Sequence, residues 1–528
     1  MRRRHLLGAM GAAALSVPLS APRLAHAQAA RPLRFVPSSD LAIIDPIWTL
    51  AYVTRNHGFM VFDTLYGLDE HFMPQPQMVA GHVVDNDGLL WRLTLRDGLL
   101  FHDGTPVLAA DCVASIRRWA SIDAFGQMLM AVTEELSAPS DKEIRFRLRR
   151  PFPLLPTALA KGSPLMCAIM PARLAATPAT TQVTEMVGSG PFRFVADERV
   201  TGSRAVYGKF EKYVPAPGAS SFLAGRKIVH FNRVEWHSVP DSGTAAAALQ
   251  AGEVDWLETP SFDLLPPLQR NRNVVVQNID PTGTIGVLRI NHQHAPFNNP
   301  AILRALLGAL DQKSCMTAVA GDDAALWRAD VGFFTPDTPM ASDAGTEVMT
   351  GPRDLEKARQ ALAAAGYKGE KVVLLGASNI EAINAMSMVV QDTLTRIGMN
   401  VDYVSTDWGT VMQRRTSNQP TDKGGWSCFV GTWSGNDLAN PAVSVTLRGD
   451  GKGAGGWLES PEIERLRAAW FEAPDLASQQ RICRELQLQA WKDVPYIPLG
   501  QFRPQAAWRR EITGLSKGFP LFWNVKPA

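Results

Sequence analysis

The sequence predicts an α/β protein of two or three domains. Residues 91–95 alternate apolar and polar side chains, as a half-buried strand does. Farther along, a strand, a helix and a second strand follow one another within about 35 residues, which is the order of a βαβ unit. The length of 528 residues fits two or three domains, and an apolar content of 46% is ample for several hydrophobic cores.

The N-terminal residues predict an export signal at residues 1–27. Three arginines at positions 2–4 precede an apolar stretch at residues 6–19, and Ala25-His26-Ala27 provides the small residues that signal peptidase requires. The alternative is an N-terminal amphipathic helix that stays in the fold. The arginines and the two leucines that follow favour twin-arginine export over the general secretory route. With no cysteine near the cleavage site, we expect a soluble periplasmic protein and not a lipoprotein.

Charge and cysteine content narrow the classes of function. Removing the four arginines of the leader leaves 49 basic against 51 acidic side chains, and this balance does not favour nucleic-acid binding. The five cysteines are widely separated, without metal-ligand or redox-motif spacing. A pair could still bridge in an oxidising compartment, but twin-arginine export would carry a chain already folded in the cytoplasm, so we expect reduced and buried thiols. They are Cys112, Cys167, Cys315, Cys428 and Cys483.

Three helices have clear boundary signals. One is predicted over residues 107–119, with an acidic side chain early and two arginines late. A second begins after Asn299, which is a good N-cap residue and is followed by a proline. The third begins at Asp354 and stops at Gly366, since glycine suits the left-handed conformation that ends a helix.

The predicted βαβ unit places a candidate site. Its strands are expected at residues 372–375 and 400–404, and its helix at residues 380–397. Ligands of open α/β sheets bind beyond the carboxyl ends of strands, near helix N-termini. The loop before the helix contains Ser378 and Asn379, and it could hold a carboxylate. An ordinary capped loop is the alternative.

The sequence favours a binding protein over an enzyme. It has no nucleophile elbow, phosphate loop or zinc-protease motif, so we predict no catalytic residues and no cofactor. His292 and His294 lack a third metal ligand close in sequence, and a surface loop is expected there, with no metal site.

A family resemblance rests on residues 91–113. Residues 91–106 read Trp-Arg-Leu-Thr-Leu-Arg-Asp-Gly-Leu-Leu-Phe-His-Asp-Gly-Thr-Pro, and residues 109–113 read Ala-Ala-Asp-Cys-Val. The stretch resembles the signature of the periplasmic peptide- and nickel-binding family of ABC importers. Shorter similar segments cover nearly the whole mature chain, at residues 45–46, 62–65, 188–192, 252–255, 304–311, 358–367 and 494–499.

The resemblance implies a two-lobed periplasmic-binding-protein fold with an additional small domain in the first half. By analogy, ligand is enclosed between the lobes by hinge closure. The expected partners are a small solute or short peptide and the importer's permease subunits in the inner membrane, with the protein itself a monomer. The domains implied are residues 31–70, 188–283 and 501–528 for lobe I, 71–187 for the extra domain, and 284–500 for lobe II.

The resemblance also implies a site for the ligand's α-ammonium. Peptide-binding members use an aspartate in a Trp-x-x-Asp-Tyr-x-Asp-Pro-like segment, and residues 432–441 are the corresponding stretch. Strict spacing from Trp433 arrives at Asn436, whereas the acid stands one residue later at Asp437. A one-residue shift in the loop would let Asp437 pair with a buried ammonium. The alternatives are a loop-capping acid, or a site built for something other than a free N-terminus.

Further contact residues are expected around this segment. Trp433, beside Ser434, could cover an apolar or cationic group with its ring. Trp408 and Trp457 are additional candidates. For a peptide's carboxylate the sequence indicates no clear basic residue, with Arg414 and Arg415 as possible choices.

The sequence therefore predicts a binding protein that captures small peptides for an ABC importer. Within binding proteins, the alternative ligands are a nickel chelate, an opine, a glutathione-like compound or a sugar. The alternative from another class is a periplasmic hydrolase.

Overall fold

The computed structural model describes residues 31–452 and 456–528. The export signal predicted at residues 1–27 lies outside these residues. Within them, no helix has both the length and the apolar character that crossing a membrane requires.

A seven-stranded sheet draws its strands from both ends of the chain. Its central strand is parallel to both of its neighbours, and the remaining pairs are antiparallel. Phe35 in that strand packs edge-on against Trp256 and Phe522 in a buried aromatic core. In spatial order the strands are Val274–Gln277, Ala506–Arg509, Trp256–Leu257, Leu33–Val36, Arg233–His237, Arg204–Lys209 and Phe192–Phe194.

A six-stranded sheet is built from the second half of the chain. Strands Lys371–Ala377 and Asn400–Thr406 are parallel and are joined by helix Glu381–Arg396, which confirms the predicted βαβ unit. The buried faces of the sheet belong to one large apolar cluster. In spatial order the strands are Trp327–Arg328, Tyr496–Phe502, Thr284–Ile290, Cys428–Ser434, Lys371–Ala377 and Asn400–Thr406.

A four-stranded antiparallel sheet forms a third sheet. In the sequence, its strands come after the first strand of the seven-stranded sheet and before the next one. In strand Leu90–Leu95 the residues Trp91, Leu93 and Leu95 are buried and alternate with more exposed ones, so the predicted half-buried strand is confirmed. The core of this sheet continues into that of the six-stranded sheet through Phe152, whose ring stacks on Phe471. In spatial order the strands are Val79–Asp85, Leu90–Leu95, Glu143–Leu148 and Thr133–Ser137, and two small pairs are Tyr66–Leu68 with Pro74–Pro76 and Ile512–Thr513 with Lys526–Pro527.

Two predicted helices begin at the cap residues that the sequence indicates, and the helix expected over residues 107–119 is Ala109–Ala120. The Asn299 side chain accepts a hydrogen bond from the backbone N–H of Ala301, and Asp354 caps the next predicted helix in the same way. Gly366 has a φ of 89°, as expected just after a helix end. The α-helices are Tyr52–Val61, Ala109–Ala120, Ala124–Val132, Leu155–Leu159, Ala172–Ala175, Ser242–Ala251, Leu265–Arg270, Pro300–Ala309, Gln312–Ala320, Glu347–Thr350, Leu355–Ala364, Glu381–Arg396, Trp408–Arg414, Pro461–Glu472 and Leu476–Asp493. Short 3₁₀ helices are Ala196–Glu198, Phe262–Leu264, Thr421–Lys423 and Gly435–Leu438.

Two aspartates of the family-like segments support the fold. The Asp45 carboxylate pairs with Arg118 at 2.7 Å, and the Asp63 carboxylate pairs with Lys227 at 2.8 Å. All four side chains are buried, and removing one partner of such a pair typically costs about 3–5 kcal/mol. The five cysteines are free and buried, as predicted.

The chain passes between the seven-stranded and six-stranded sheets twice within the described residues. We call residues 278–283 and 503–505 the crossover segments. They lie side by side, since the Asn278 amide donates to the Pro504 carbonyl (2.9 Å) and the Gln501 amide donates to the Thr282 carbonyl (2.7 Å). The α/β class is confirmed, whereas the residue boundaries of the lobes stay a prediction.

Candidate binding site

A cavity of about 440 Å³ lies between the two large sheets. This volume falls in the range of about 300–1,000 Å³ that is usual for small-molecule sites. The six-stranded sheet contributes strand residues to its wall, and the helix Tyr52–Val61, both crossover segments and the start of helix Glu381–Arg396 complete it. Lining residues include Tyr52, Arg55, Glu258, Phe262, Asp280, Thr284, Ile380, Glu381, Thr432, Ser434, Phe502, Pro504 and Phe519.

Asp437 lies at the end of the sheet that borders this cavity. It is in the 3₁₀ helix Gly435–Leu438, directly after strand Cys428–Ser434, and its side chain is buried. Its Oδ2 accepts a hydrogen bond from the Tyr52 hydroxyl at 2.7 Å. Its Oδ1 is buried and has no hydrogen-bond partner among residues 31–452 and 456–528. Burial raises the pKa of Asp437, although the Tyr52 hydroxyl and the charge of Arg55 act in the opposite direction.

Tyr52 connects two parts of the molecule that are distant in sequence. Its hydroxyl donates to Asp437 and accepts from the backbone N–H of Ser434, at 2.7 Å in both cases. A further hydrogen bond runs from the Ser261 hydroxyl to Glu381 Oε2 at 2.8 Å. Both connections link residues around the seven-stranded sheet to residues around the six-stranded sheet.

Arg55 provides a positive charge in the wall of the cavity. The residue is 4% exposed, and its guanidinium lies 3.7 Å from the ring centroid of Phe519 and 4.9 Å from that of Tyr52. Nε and Nη2 donate to the Asn56 Oδ1 at 3.2 and 3.0 Å. Nη1 is buried without a hydrogen-bond partner in the described part of the chain. Burial lowers the pKa of Arg55, while the charge of Asp437 works against this.

Two half-buried acids, Glu258 and Asp280, stand near Arg55. Glu258 accepts hydrogen bonds from the backbone N–H of Ser38 and from the Asn56 amide. Asp280 Oδ1 accepts from the backbone N–H and the hydroxyl of Thr282. Burial raises the pKa of both carboxyl groups, and the hydrogen bonds and Arg55 partly offset this effect.

Three of the residues that the sequence selects come together at this turn: Ser434, Asn436 and Asp437. The Ser434 side chain lines the main cavity, and its Oγ is buried without a partner among the residues described. Asn436 lines a second, smaller cavity of about 30 Å³ together with Lys161. Its Nδ2 likewise has no partner within the described ranges. Buried polar atoms without partners are rare, and a bound ligand or an ordered water is a usual explanation for them.

The predicted tryptophans lie elsewhere. Side chains alternate between the faces of a strand, so Trp433 points away from the face that Thr432 and Ser434 present to the cavity. Trp433 packs on the apolar core instead. Trp408 begins a short helix and contacts the ring of Phe429, and Trp457 contacts that of Trp426. The positions of these three tryptophans do not support a contact with the ligand.

Ser378 and Asn379 occupy the loop before helix Glu381–Arg396, as expected, but both are exposed. The Ser378 hydroxyl donates to the Thr406 carbonyl, and Asn379 accepts from the backbone N–H of Trp408. The next residues of this loop and helix, 380–382, are the ones that line the cavity. The predicted helix terminus therefore borders the site, while the two side chains hold neighbouring loops together.

The residues that sequence reasoning missed are Tyr52 and Arg55. Tyr52 contacts Asp437 across 385 positions of the sequence, so no local motif could have paired them. Arg414, a sequence candidate for a ligand carboxylate, donates instead to the carbonyls of Gly424 and Gly425.

Comparisons with known proteins agree with this geometry. A family model described as "Bacterial extracellular solute-binding proteins, family 5 Middle" matches residues 73–455. The chain is 37% identical over 532 residues to the probable peptide ABC transporter periplasmic-binding protein y4tO of Sinorhizobium fredii, covering 100% of this chain and 99% of that protein.

Two solved structures share the fold. The periplasmic binding protein AgaA from A. tumefacien R10, in complex with agropinic acid, has a TM-score of 0.78 at 21% identity and covers 94% of this chain and 99% of its own. The periplasmic binding protein DppA from Helicobacter pylori, in complex with the peptide STSA, has a TM-score of 0.78 at 20% identity and covers 94% of this chain and 98% of its own. The two-lobed architecture expected from residues 91–113 is thereby confirmed, and the chain belongs to family 5 of the bacterial extracellular solute-binding proteins.

Proposed function

We propose that this protein is the periplasmic solute-binding component of an ABC importer and that it captures small peptides between its lobes. It delivers them to permease subunits in the inner membrane and acts as a monomer without catalysis. The y4tO relative, named as a probable peptide-binding component, supports the peptide assignment at 37% identity over the whole chain.

One observation supports a peptide best: in the buried carboxylate of Asp437, Tyr52 donates to one oxygen, and the other has no partner among the described residues. A buried carboxylate gains stability from a charged hydrogen-bond donor, and the α-ammonium of a peptide is such a donor. Ser434 lines the main cavity, and its Oγ, which is buried without a partner among the described residues, would bind a polar atom of the same ligand. The proposal requires a one-residue shift from the family's spacing, and Asp437 lies in the short 3₁₀ helix Gly435–Leu438.

A non-peptide solute is the second candidate. The similar AgaA structure holds agropinic acid, so this fold also accepts other small polar solutes. A nickel chelate, a glutathione-like compound or a sugar would be further members of this class.

Native mass spectrometry of the gently purified protein tests the proposal. We expect co-purified peptides of two to five residues, which disappear after the protein is unfolded and refolded. Recovery of a metal chelate, an opine or a sugar instead, together with failure of the refolded protein to bind any dipeptide or tripeptide, would reject the peptide assignment.

A further inference from the structure

The extra domain contacts the six-stranded half of the molecule through aromatic side chains. The ring of Phe152 stacks on that of Phe471, with centroids 6.3 Å apart and an angle of 14° between the planes. Phe125 meets the Phe471 ring edge-on, at 5.8 Å between centroids. All three residues are at most 4% exposed, and none of the three lines the main cavity. We call this group of three rings the aromatic contact.

The same interface reaches the turn that carries Asp437. The small cavity of about 30 Å³ lies between residues 161–163 of the extra domain and Asn436 of the turn. Ser163 Oγ and Asn436 Nδ2 are both buried without a partner in the described part of the chain. The turn therefore borders the main cavity through Ser434 and the extra domain through Asn436.

The extra domain is attached to the seven-stranded sheet. The chain comes to it from strand Leu33–Val36 and leaves it toward strand Phe192–Phe194, and both strands belong to that sheet. A buried ion pair of 2.7 Å between Asp45 and Arg118 strengthens this attachment. Within the described residues, the chain reaches the six-stranded sheet only through the crossover segments. A rotation about those segments would therefore separate the extra domain from helix Pro461–Glu472.

We propose that the extra domain closes on the six-stranded sheet when a solute is captured, and that the aromatic contact sets the affinity for the solute from outside the cavity. This inference rests on the proposed function, in which capture takes place between the lobes. The contact stabilises the closed arrangement alone, because its two sides belong to different lobes. Apparent affinity depends on the fraction of molecules in the binding-competent arrangement, so a weaker contact lowers the affinity although its residues do not line the cavity.

Hydrogen–deuterium exchange of the purified protein tests whether the interface opens and closes. Exchange is followed by mass spectrometry with and without an equimolar mixture of dipeptides and tripeptides that have free termini. We expect the mixture to slow exchange at residues 149–155 and 468–474, on the two sides of the aromatic contact, as well as at the binding turn, residues 432–438. Helix Leu355–Ala364 is the internal control, because it contributes no residue to the main cavity or to the aromatic contact.

Substitutions on the two sides of the aromatic contact test its effect on affinity. Phe152→Ala and Phe471→Ala should each weaken binding of the peptide mixture about tenfold, which is near the upper range for an aromatic pair. The double variant should bind little worse than either single variant, because each substitution already removes the same contact. The control Leu362→Ala truncates a buried side chain of helix Leu355–Ala364, and it should lower the melting temperature but leave the affinity unchanged. If an alanine variant does not fold, the corresponding leucine variant takes its place.

Protection of the binding turn without protection at residues 149–155 and 468–474 would overturn the inference and leave the peptide assignment intact. So would variants of Phe152 and Phe471 that bind the mixture as tightly as the wild type, or that lose no more affinity than Leu362→Ala. A mixture that slows exchange nowhere and shows no binding in titration calorimetry would refute the proposed function, and the inference with it.

Discussion

At the scale of single residues, the arrangement around Asp437 couples ligand chemistry to burial. Asp437 is 4% exposed, and one of its carboxylate oxygens accepts a hydrogen bond from the Tyr52 hydroxyl. We propose that Oδ1, which has no hydrogen-bond partner among the described residues, accepts the ligand ammonium. Two experiments measure peptide affinity after the loss of this negative charge: one replaces Asp437, and the other protonates its carboxylate.

Asp437→Asn should weaken the binding of peptides that have a free N-terminus. Loss of one partner of a buried ion pair typically costs about 3–5 kcal/mol, which is a loss of more than a hundredfold in affinity. Isothermal titration calorimetry checks this, with the exposed Asp392→Asn as the matched control. N-acetylated peptides should bind wild type and Asp437→Asn alike. An affinity for free peptides that the substitution leaves unchanged would exclude Asp437 as the ammonium partner.

Peptide affinity should also fall on mild acidification. Because burial raises the pKa of Asp437, this carboxyl group takes up its proton at a higher pH than an ordinary aspartate with a pKa of 3.8. The ammonium binds the ionised form, so affinity is full above the raised pKa and is lost as the pH falls through it. Arg55 and Lys161 oppose the rise, and Asp280 adds to it. Titration calorimetry across pH 4–8 should show this loss in the wild type and a flatter profile in Asp437→Asn; parallel profiles would contradict the assignment.

At the scale of the element, helix Tyr52–Val61 provides the half of the site that sequence reasoning did not find. Nine of its ten residues are buried, including the polar Thr54, Arg55, Asn56 and His57. A helix that is buried on all sides shows no apolar stripe, so its 3.6-residue period is hidden. Helices with one exposed face, such as Pro300–Ala309, could be predicted from their caps and stripes.

In contrast to this helix, the turn that carries Asp437 could be found from the sequence. Residues 432–441 could be selected from the sequence because they resemble a local motif, and three of the selected residues lie together there. The orientation of Trp433 could not be predicted, because the face that a side chain occupies depends on where its strand begins and on what packs against each side.

Tyr52→Phe should weaken ligand binding without unfolding the protein. Its hydroxyl joins helix Tyr52–Val61 to the turn through Asp437 Oδ2 and the Ser434 N–H. Its loss leaves two buried groups unsatisfied, at a cost of about 1–3 kcal/mol each. An energy of this size corresponds to a tenfold or greater loss of peptide affinity, which is the loss that we expect. Tyr213→Phe, which removes a hydroxyl bound to Asp63 outside the cavity, is the control. Equal effects of the two substitutions on affinity would mean that Tyr52 acts only through general stability.

At the scale of the whole molecule, the crossover segments lie beside the cavity between the two large sheets. Asp280 and Gly283 in one segment, and Pro504 in the other, also line the cavity. Residues that connect the two sheets therefore form part of the cavity wall. A solute that contacts both sides would stabilise the closed arrangement by its binding free energy.

Gly283→Ala should impair both stability and closure. Gly283 has a φ of 58°, and a methyl group there would come within 2.6 Å of the carbonyl oxygen of Phe502, at the end of the neighbouring strand. The Gly283 carbonyl accepts from the N–H of Gly435, the first residue of the turn with Asp437, so a displaced crossover segment moves the turn as well. A left-handed non-glycine residue costs about 1–2 kcal/mol, and the close contact adds to this.

We expect a lower melting temperature and weaker peptide binding. Small-angle X-ray scattering should show that peptide reduces the radius of gyration of the wild type but changes that of the variant less. The control is Gly308→Ala, since a methyl group on that helical glycine meets open space. If Gly283→Ala retained wild-type affinity and compaction, the crossover segments would not couple the lobes to the binding turn.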